Sequence, residues 1–218
     1  MDAWTIHQLA DSSLPTGGFA HSGGLEAALQ LGLARAGDLD GFLREALWQG
    51  GSASLPWVAA AHRSPADVAE LDRACDASLP QHVANRASRV QGRSFLRAVA
   101  EARPTELRAL ADAANEGRWP CHLAPVFGAA LARLGAGREE ARRLFLFQSA
   151  RGIVQAAVRL GAAGPFEAQR LLAAAGEEAE RVLRATNDRG PEDVAATSPL
   201  VDLAQGRQEH LYSRLFQS

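Results

Sequence analysis

Apolar residues in this chain recur at intervals of three and four almost from end to end, and the alternation of β-branched residues that marks strands is nearly absent. With alanine abundant between them, this periodicity restricts the chain to one class, an all-α fold read here as a single-domain bundle of roughly eight to ten helices. A first short helix is expected over Trp4 to Asp11. Leu39, Phe42, Leu43, Ala46 and Leu47 line one face of a further helix, which Gly50 and Gly51 are expected to close. Ser64 and Pro65 open another, with Val68, Leu71 and Cys75 facing inward. From His82 to Ala102 a helix carries Val83, Val90 and Val99 with Arg86, Arg89, Arg93 and Arg97 spread among them, and Pro104 ends it. A shorter helix from Thr105 to Asn115 stops at Gly117, and Pro120 starts one containing Val126, Phe127 and Leu131. Arg138 to Leu160 contains LFLF and reads as the central helix, and after Gly161, Gly164 and Pro165 another long one runs to about Thr186.

Two stretches break the pattern. Asp11 to Glu26, DSSLPTGGFAHSGGLE, gathers a proline and two glycine pairs, so it should form a tight corner between helices. Ser22 is the expected cap of the helix that follows, marked by Leu25, Leu29 and Leu33. The glycines can serve the corner alone or expose N–H groups to a ligand. Residues 187–199 are polar and aperiodic and read as a mobile linker between a body, 1–186, and a tail, 200–218. The tail's Leu211, Tyr212, Arg214, Leu215 and Phe216 either dock on the chain itself or order on a partner, since left free they would stay wet.

Composition removes several function classes. The net charge is −2 and the cations are scattered, which is not the footprint of a nucleic-acid binder. All 23 basic residues are arginine, so no GxxxxGK[ST] phosphate loop and no lysine Schiff base is possible. The two cysteines, Cys75 and Cys121, suggest no disulfide framework. The start MDAWTIHQLAD is not a secretory leader, and no long apolar run suggests a membrane span, so a cytoplasmic protein is expected. His7, His21, His62, His82, His122 and His210 are dispersed without a chelating motif, so no tight metal site is expected. No HExxH or GxSxG string occurs, and catalysis is not expected. The competing reading is a small metal-dependent hydrolase built on the loop from His21 to Glu26.

Three blocks carry a family resemblance: the glycine-rich segment just described, AAVRLGAAGPFEAQRLL from Ala156 to Leu172, and HLYSRLFQS from His210 to Ser218. In this order they resemble the signatures of the UreF family, accessory proteins that help assemble the nickel centre of urease. Many bacterial members carry a YSQGLE-like string where this chain reads AHSGGLE. The resemblance implies a non-catalytic scaffold. It would join UreD (also called UreH) and the GTPase UreG on apo-urease, pair with itself as a homodimer, and receive nickel brought by UreE. Nickel and GTP would be handled by the complex, with no cofactor held tightly by this chain. It also implies partner contacts at Gly17, Gly18, His21, Glu26, Arg159, Gln169, Tyr212, Arg214 and Phe216, with UreD as the partner of the tail. For Arg159 a local role, capping carbonyls at the helix end, stands beside the interface role.

Overall fold

A computed structural model describes all 218 residues and contains no strand. Ten helices have eight residues or more: α1 (Ala3–Ala10), α3 (Leu39–Ala53), α4 (Leu55–Arg63), α5 (Val68–Ser78), α6 (His82–Ala102), α7 (Pro104–Asn115), α8 (Leu123–Arg133), α9 (Arg138–Arg159), α10 (Pro165–Ala185) and α11 (Pro199–Arg207). The short α2 (Leu25–Gln30) follows the glycine corner. The all-α bundle expected from periodicity is the observed fold.

The centre is shared by α4, α8 and α9. Every residue from Leu55 to Ala61 and from Ala124 to Leu131 is buried. Phe127 of α8 stacks on Phe95 of α6 at 4.9 Å between ring centroids and meets Phe145 of α9 edge-on at 5.4 Å. Small residues let these helices close up. A side chain on Gly128 would run into the carbonyl of Val58, and one on Gly51 into Val182 of α10. Gly50 and Gly51 therefore do not end α3, which continues to Ala53. A glycine pair that looked like a stop is where α10 packs against α3.

Two helix starts also differ from expectation. The segment after Pro65 turns once before α5 begins at Val68, and α8 begins at Leu123 instead of Pro120. Cys121, at φ 70°, bends the chain there. The buried N–H groups of Cys121 and His122, which the bend leaves without a helical partner, are satisfied by the buried carboxylate of Asp72 on α5, at 2.7 and 2.6 Å. One helix thus caps another through a long-range contact. Arg142 of α9 does the equivalent at the far end of α10: it is fully buried and donates to the Leu183 carbonyl and the Thr186 hydroxyl, both at 2.9 Å.

Residues 187–199 cross α3. Gln49 accepts from the N–H groups of Thr197 and Ser198, and Ala195 donates to the Ser52 carbonyl. Beyond them α11 packs on α2, α3 and α6. No helix is long and apolar enough to cross a membrane.

Candidate interaction site

Three segments far apart in sequence meet at one place: the glycine corner, the end of α9 and the chain's last residues. The corner is made by Gly17 at φ 73°, a single helical turn over Gly18–Ala20, and Gly23 and Gly24 at φ 63° and 88°. Gly24 is required twice over, by that left-handed conformation and because α11 approaches it through Gln205 and the Val201 carbonyl. It is also the residue that caps α2, with no side chain to contribute. Ser22, expected as the cap, lies two residues earlier, and its hydroxyl still accepts from the Glu26 N–H at 3.3 Å.

Glu26, in the first turn of α2, is 2% exposed. Its carboxylate accepts from the Gln208 amide at 2.6 Å, the Leu215 N–H at 2.6 Å and the Phe216 N–H at 3.1 Å. Favourable placement on the helix dipole is therefore the lesser part of its role. Ser22 donates both its N–H, at 2.6 Å, and its hydroxyl, at 2.9 Å, to the Ser218 carbonyl. Gln217 donates to the Ala20 carbonyl, and His21 Nδ1 meets the Ser218 hydroxyl at 2.7 Å. The other ring nitrogen of His21 is buried without a partner. Burial, with the Arg86 cation adding to it, holds the His21 pKa down at about 4, so the ring is neutral at pH 7.

Arg159 closes the arrangement. Its guanidinium lies over the Phe19 ring at 3.6 Å and the Phe216 ring at 4.3 Å, and it donates to the Phe19 carbonyl. The carbonyls it could have capped at the end of α9 are not its partners; it caps the corner instead. Phe216 is buried against Leu25, Leu39 and the α9–α10 turn. Tyr212, Arg214 and Leu215 face solvent on the neighbouring stretch, with Tyr212 fully exposed, and Phe19 is 70% exposed.

Of the residues singled out in sequence, Gly17, Gly18, His21, Glu26, Arg159 and Phe216 are brought together here, and Tyr212 and Arg214 stand beside them. Gln169 is exposed on α10 and makes no hydrogen bond to this cluster. Sequence reasoning missed Phe19, Gln208 and Ser218. Phe19 sat in a glycine-rich segment where an aromatic has no helical face to fill, which was a usable signal; a buried glutamine and a terminal serine carry none.

The corner borders a cavity of about 460 Å³ that Gln91, Ser94, Gln148 and Gln155 help to line. A second, of about 280 Å³, shares Gln91 and Gln148 and reaches Gln49, Asp202 and Gln205, with His21 and Ser218 in its wall. His21 through Nδ1, Ser22 through its hydroxyl and Glu26 through its carboxylate are engaged with the C-terminal segment, which is the arrangement of a latch. No three His, Cys, Asp or Glu side chains are grouped to hold a metal ion. Cys121 lies beside Asp72, and burial raises its thiol pKa to about 12; Cys75 is raised further for the same reason.

Comparison with known proteins identifies the family. The UreF family model matches residues 33–176. The chain is 39% identical over 220 residues to "Urease accessory protein F" of Oryza sativa subsp. indica, covering 98% of this chain and 84% of that one. It is 37% identical to the Arabidopsis thaliana protein of the same name, over 98% and 91% of the two chains. To "Urease accessory protein UreF" of Paenarthrobacter aurescens it is 30% identical, over 98% and 96%. The second sequence block, Ala156 to Leu172, falls inside the span of the family model, and the first and third fall outside it. The chain belongs to the UreF family of urease accessory proteins.

Proposed function

We propose that this protein is a non-catalytic scaffold in the activation of urease. In this reading it joins UreD (UreH) and the GTPase UreG in a complex docked on apo-urease, where GTP hydrolysis by UreG is coupled to nickel insertion. It has no phosphate-binding loop of its own, so GTP is handled by UreG, and nickel is cargo supplied by UreE. A homodimer would give the assembly two-fold symmetry. The protein would act in the cytoplasm, beside the enzyme it helps to load.

The observation that carries this reading is the convergence of the three sequence blocks. Their polar side chains hold the C-terminal segment, while Phe19, Tyr212, Arg214 and Leu215 are left facing water around it. Aromatic and arginine side chains concentrated at one exposed place suit a protein partner, and UreD is the partner proposed for the tail. The Arg159–Phe19–Phe216 stack would present the corner and the tail to that partner as one surface.

The test is complementation. Urease subunits are expressed with UreD, UreE and UreG from the same source, with and without this protein, and urea hydrolysis and urease-bound nickel are measured together. Both are expected to rise when the protein is supplied. If both stay at the level reached without it, although the protein is soluble and folded, the scaffold reading fails.

A further inference from the structure

Helix α6 carries a charge pattern that its own packing does not use. Arg86, Arg89, Arg93 and Arg97 recur at spacings of three, four and four. Helical geometry places them within about 80° of arc and along about 16 Å of one face. The helix holds a single carboxylate, Glu101, near its end. Arg86 is engaged with Glu209, which His82 also contacts, and the nearby Asp76 is occupied by Asn85 and His122. Arg89, Arg93 and Arg97 have no carboxylate at ion-pairing distance.

Like charges four residues apart weaken a helix, and cations near its N-terminus oppose its dipole. Elsewhere such costs are offset by carboxylates. On α9 and α10, Arg138, Arg142, Arg143 and Arg181 each meet a glutamate. On α6 three successive arginines of one face are without an ion pair, a local concentration of positive charge on a chain of net charge −2. Val90 lies among these arginines and is 41% exposed, so the face combines charge with an apolar contact.

We propose that the Arg89, Arg93 and Arg97 face of α6 is a docking surface for an acidic helix of a partner protein. Arg89, Arg93 and Arg97 follow one another at about 6 Å along the axis, the same interval as glutamates at four-residue spacing on another helix. Each guanidinium can then take a carboxylate through paired N–H groups, and Val90 is covered as the two helices meet. A nucleic acid fits less well: the face has three free cations and no aromatic on which a base could stack, and the chain as a whole repels a polyanion. The surface begins beside the C-terminal segment, at the Arg86–Glu209 pair, and runs toward α7. It goes beyond the scaffold reading and does not depend on it.

The test uses the full chain and a labelled, alanine-rich helical peptide with four glutamates at four-residue spacing, followed by fluorescence anisotropy at about 50 mM salt, where screening is modest. A peptide of the same composition with its glutamates adjacent is the control. The spaced peptide should bind at least tenfold more tightly than the control and weaken as salt rises. R89Q/R93Q/R97Q should bind it at least tenfold less tightly with an unchanged circular dichroism spectrum. R89K/R93K/R97K should fall between, because the charge survives and the fork does not. Deleting residues 210–218 should leave the affinity unchanged, which separates this surface from the tail. Equal binding of the two peptides, full binding by R89Q/R93Q/R97Q, or displacement of the peptide by a single-stranded oligonucleotide at lower concentration would each overturn the proposal.

Discussion

Replacing Glu26 with glutamine removes a charge and changes almost no volume, so it isolates the hydrogen bonds that hold the C-terminal segment. The carboxylate accepts from Leu215 on one oxygen and from Gln208 and Phe216 on the other. A glutamine can keep its oxygen on the Gln208 and Phe216 side, but its NH2 group then faces the Leu215 N–H, donor against donor. Hydrogen bonds to a charged group contribute about 1.5–3 kcal/mol each, and an unsatisfied buried donor costs about 1–3 kcal/mol. One lost bond and weakening of the other two therefore give about 2–4 kcal/mol. The penalty falls on the attachment of the segment, because the core around Phe127 does not touch it. Hydrogen exchange reads that attachment directly: amides of Leu215 to Ser218, and the Ser22 amide bonded to Ser218, should exchange roughly 30- to 700-fold faster in E26Q. Amides of α4 and α8 should keep their protection. If the Leu215 to Ser218 amides exchange at the parent rate, Glu26 does not hold the latch; if α4 and α8 lose protection equally, the latch is not a local unit.

Three further outcomes follow from the same contacts. His21 is held near pKa 4 when folded against about 6.5 when unfolded, so the unfolded chain takes up the proton first as pH falls. Stability from this group is whole above about pH 6.5 and declines by up to about 3 kcal/mol on the way down to pH 4; H21Q, which keeps a polar group beside Ser218 and the Arg86 cation, should flatten that part of a urea-denaturation profile, and an unchanged slope would count against it. Gly128→Ala places a methyl against the Val58 carbonyl and should cost about 2–3 kcal/mol, lowering the melting midpoint by about 4–10 °C; a normal midpoint would mean that α4 and α8 are not in contact there. Arg159→Ala removes the cation from between Phe19 and Phe216, worth about 1–2 kcal/mol, and should speed exchange at Phe216 by about 5- to 30-fold, with Arg159→Lys intermediate; equal exchange in all three proteins would make the stacking energetically idle.

The fold class was legible because helical periodicity depends only on residues near one another in sequence. Several helix ends were also legible for that reason: α6 does stop at Ala102, just before Pro104, and α10 does begin at the glycine and proline turn. Where the reading of an end failed, a distant residue decided it. Gly50 and Gly51 stay helical because Val182 needs the space, and α8 starts late because Asp72, some 50 positions away, takes the two N–H groups before it. The candidate site shows the same division. Its three blocks could be picked out one by one, but Glu26 read as a first-turn carboxylate, since no local pattern reveals a donor at Gln208 or at the backbone of residue 216. The tail had two open readings for a related reason: five large side chains say that something must cover them and do not say what.

In this structure the coverage is uneven, and the unevenness carries an energetic consequence. Phe216 is the one large side chain of the last seven residues that is buried, at 3% exposure, and a fully buried phenylalanine contributes about 1.5–3 kcal/mol. The remaining attachment rests on the Arg159 guanidinium over the Phe216 ring and on hydrogen bonds to Glu26, Ser22, His21 and the Ala20 carbonyl, and water can replace each of these hydrogen bonds once it enters. Ordering the backbone of those residues costs about 1–2 kcal/mol apiece, which offsets much of the gain. The helices underneath are held by aromatic packing that water cannot imitate. A segment held this way opens at a lower free energy than the bundle unfolds, and when it opens it uncovers the Glu26 carboxylate and frees Phe216. A partner that engages the exposed Tyr212, Arg214 and Leu215 meets the segment through side chains that the latch does not use. It can bind with the latch closed, and it then adds its own contacts to those of Glu26 rather than competing for them.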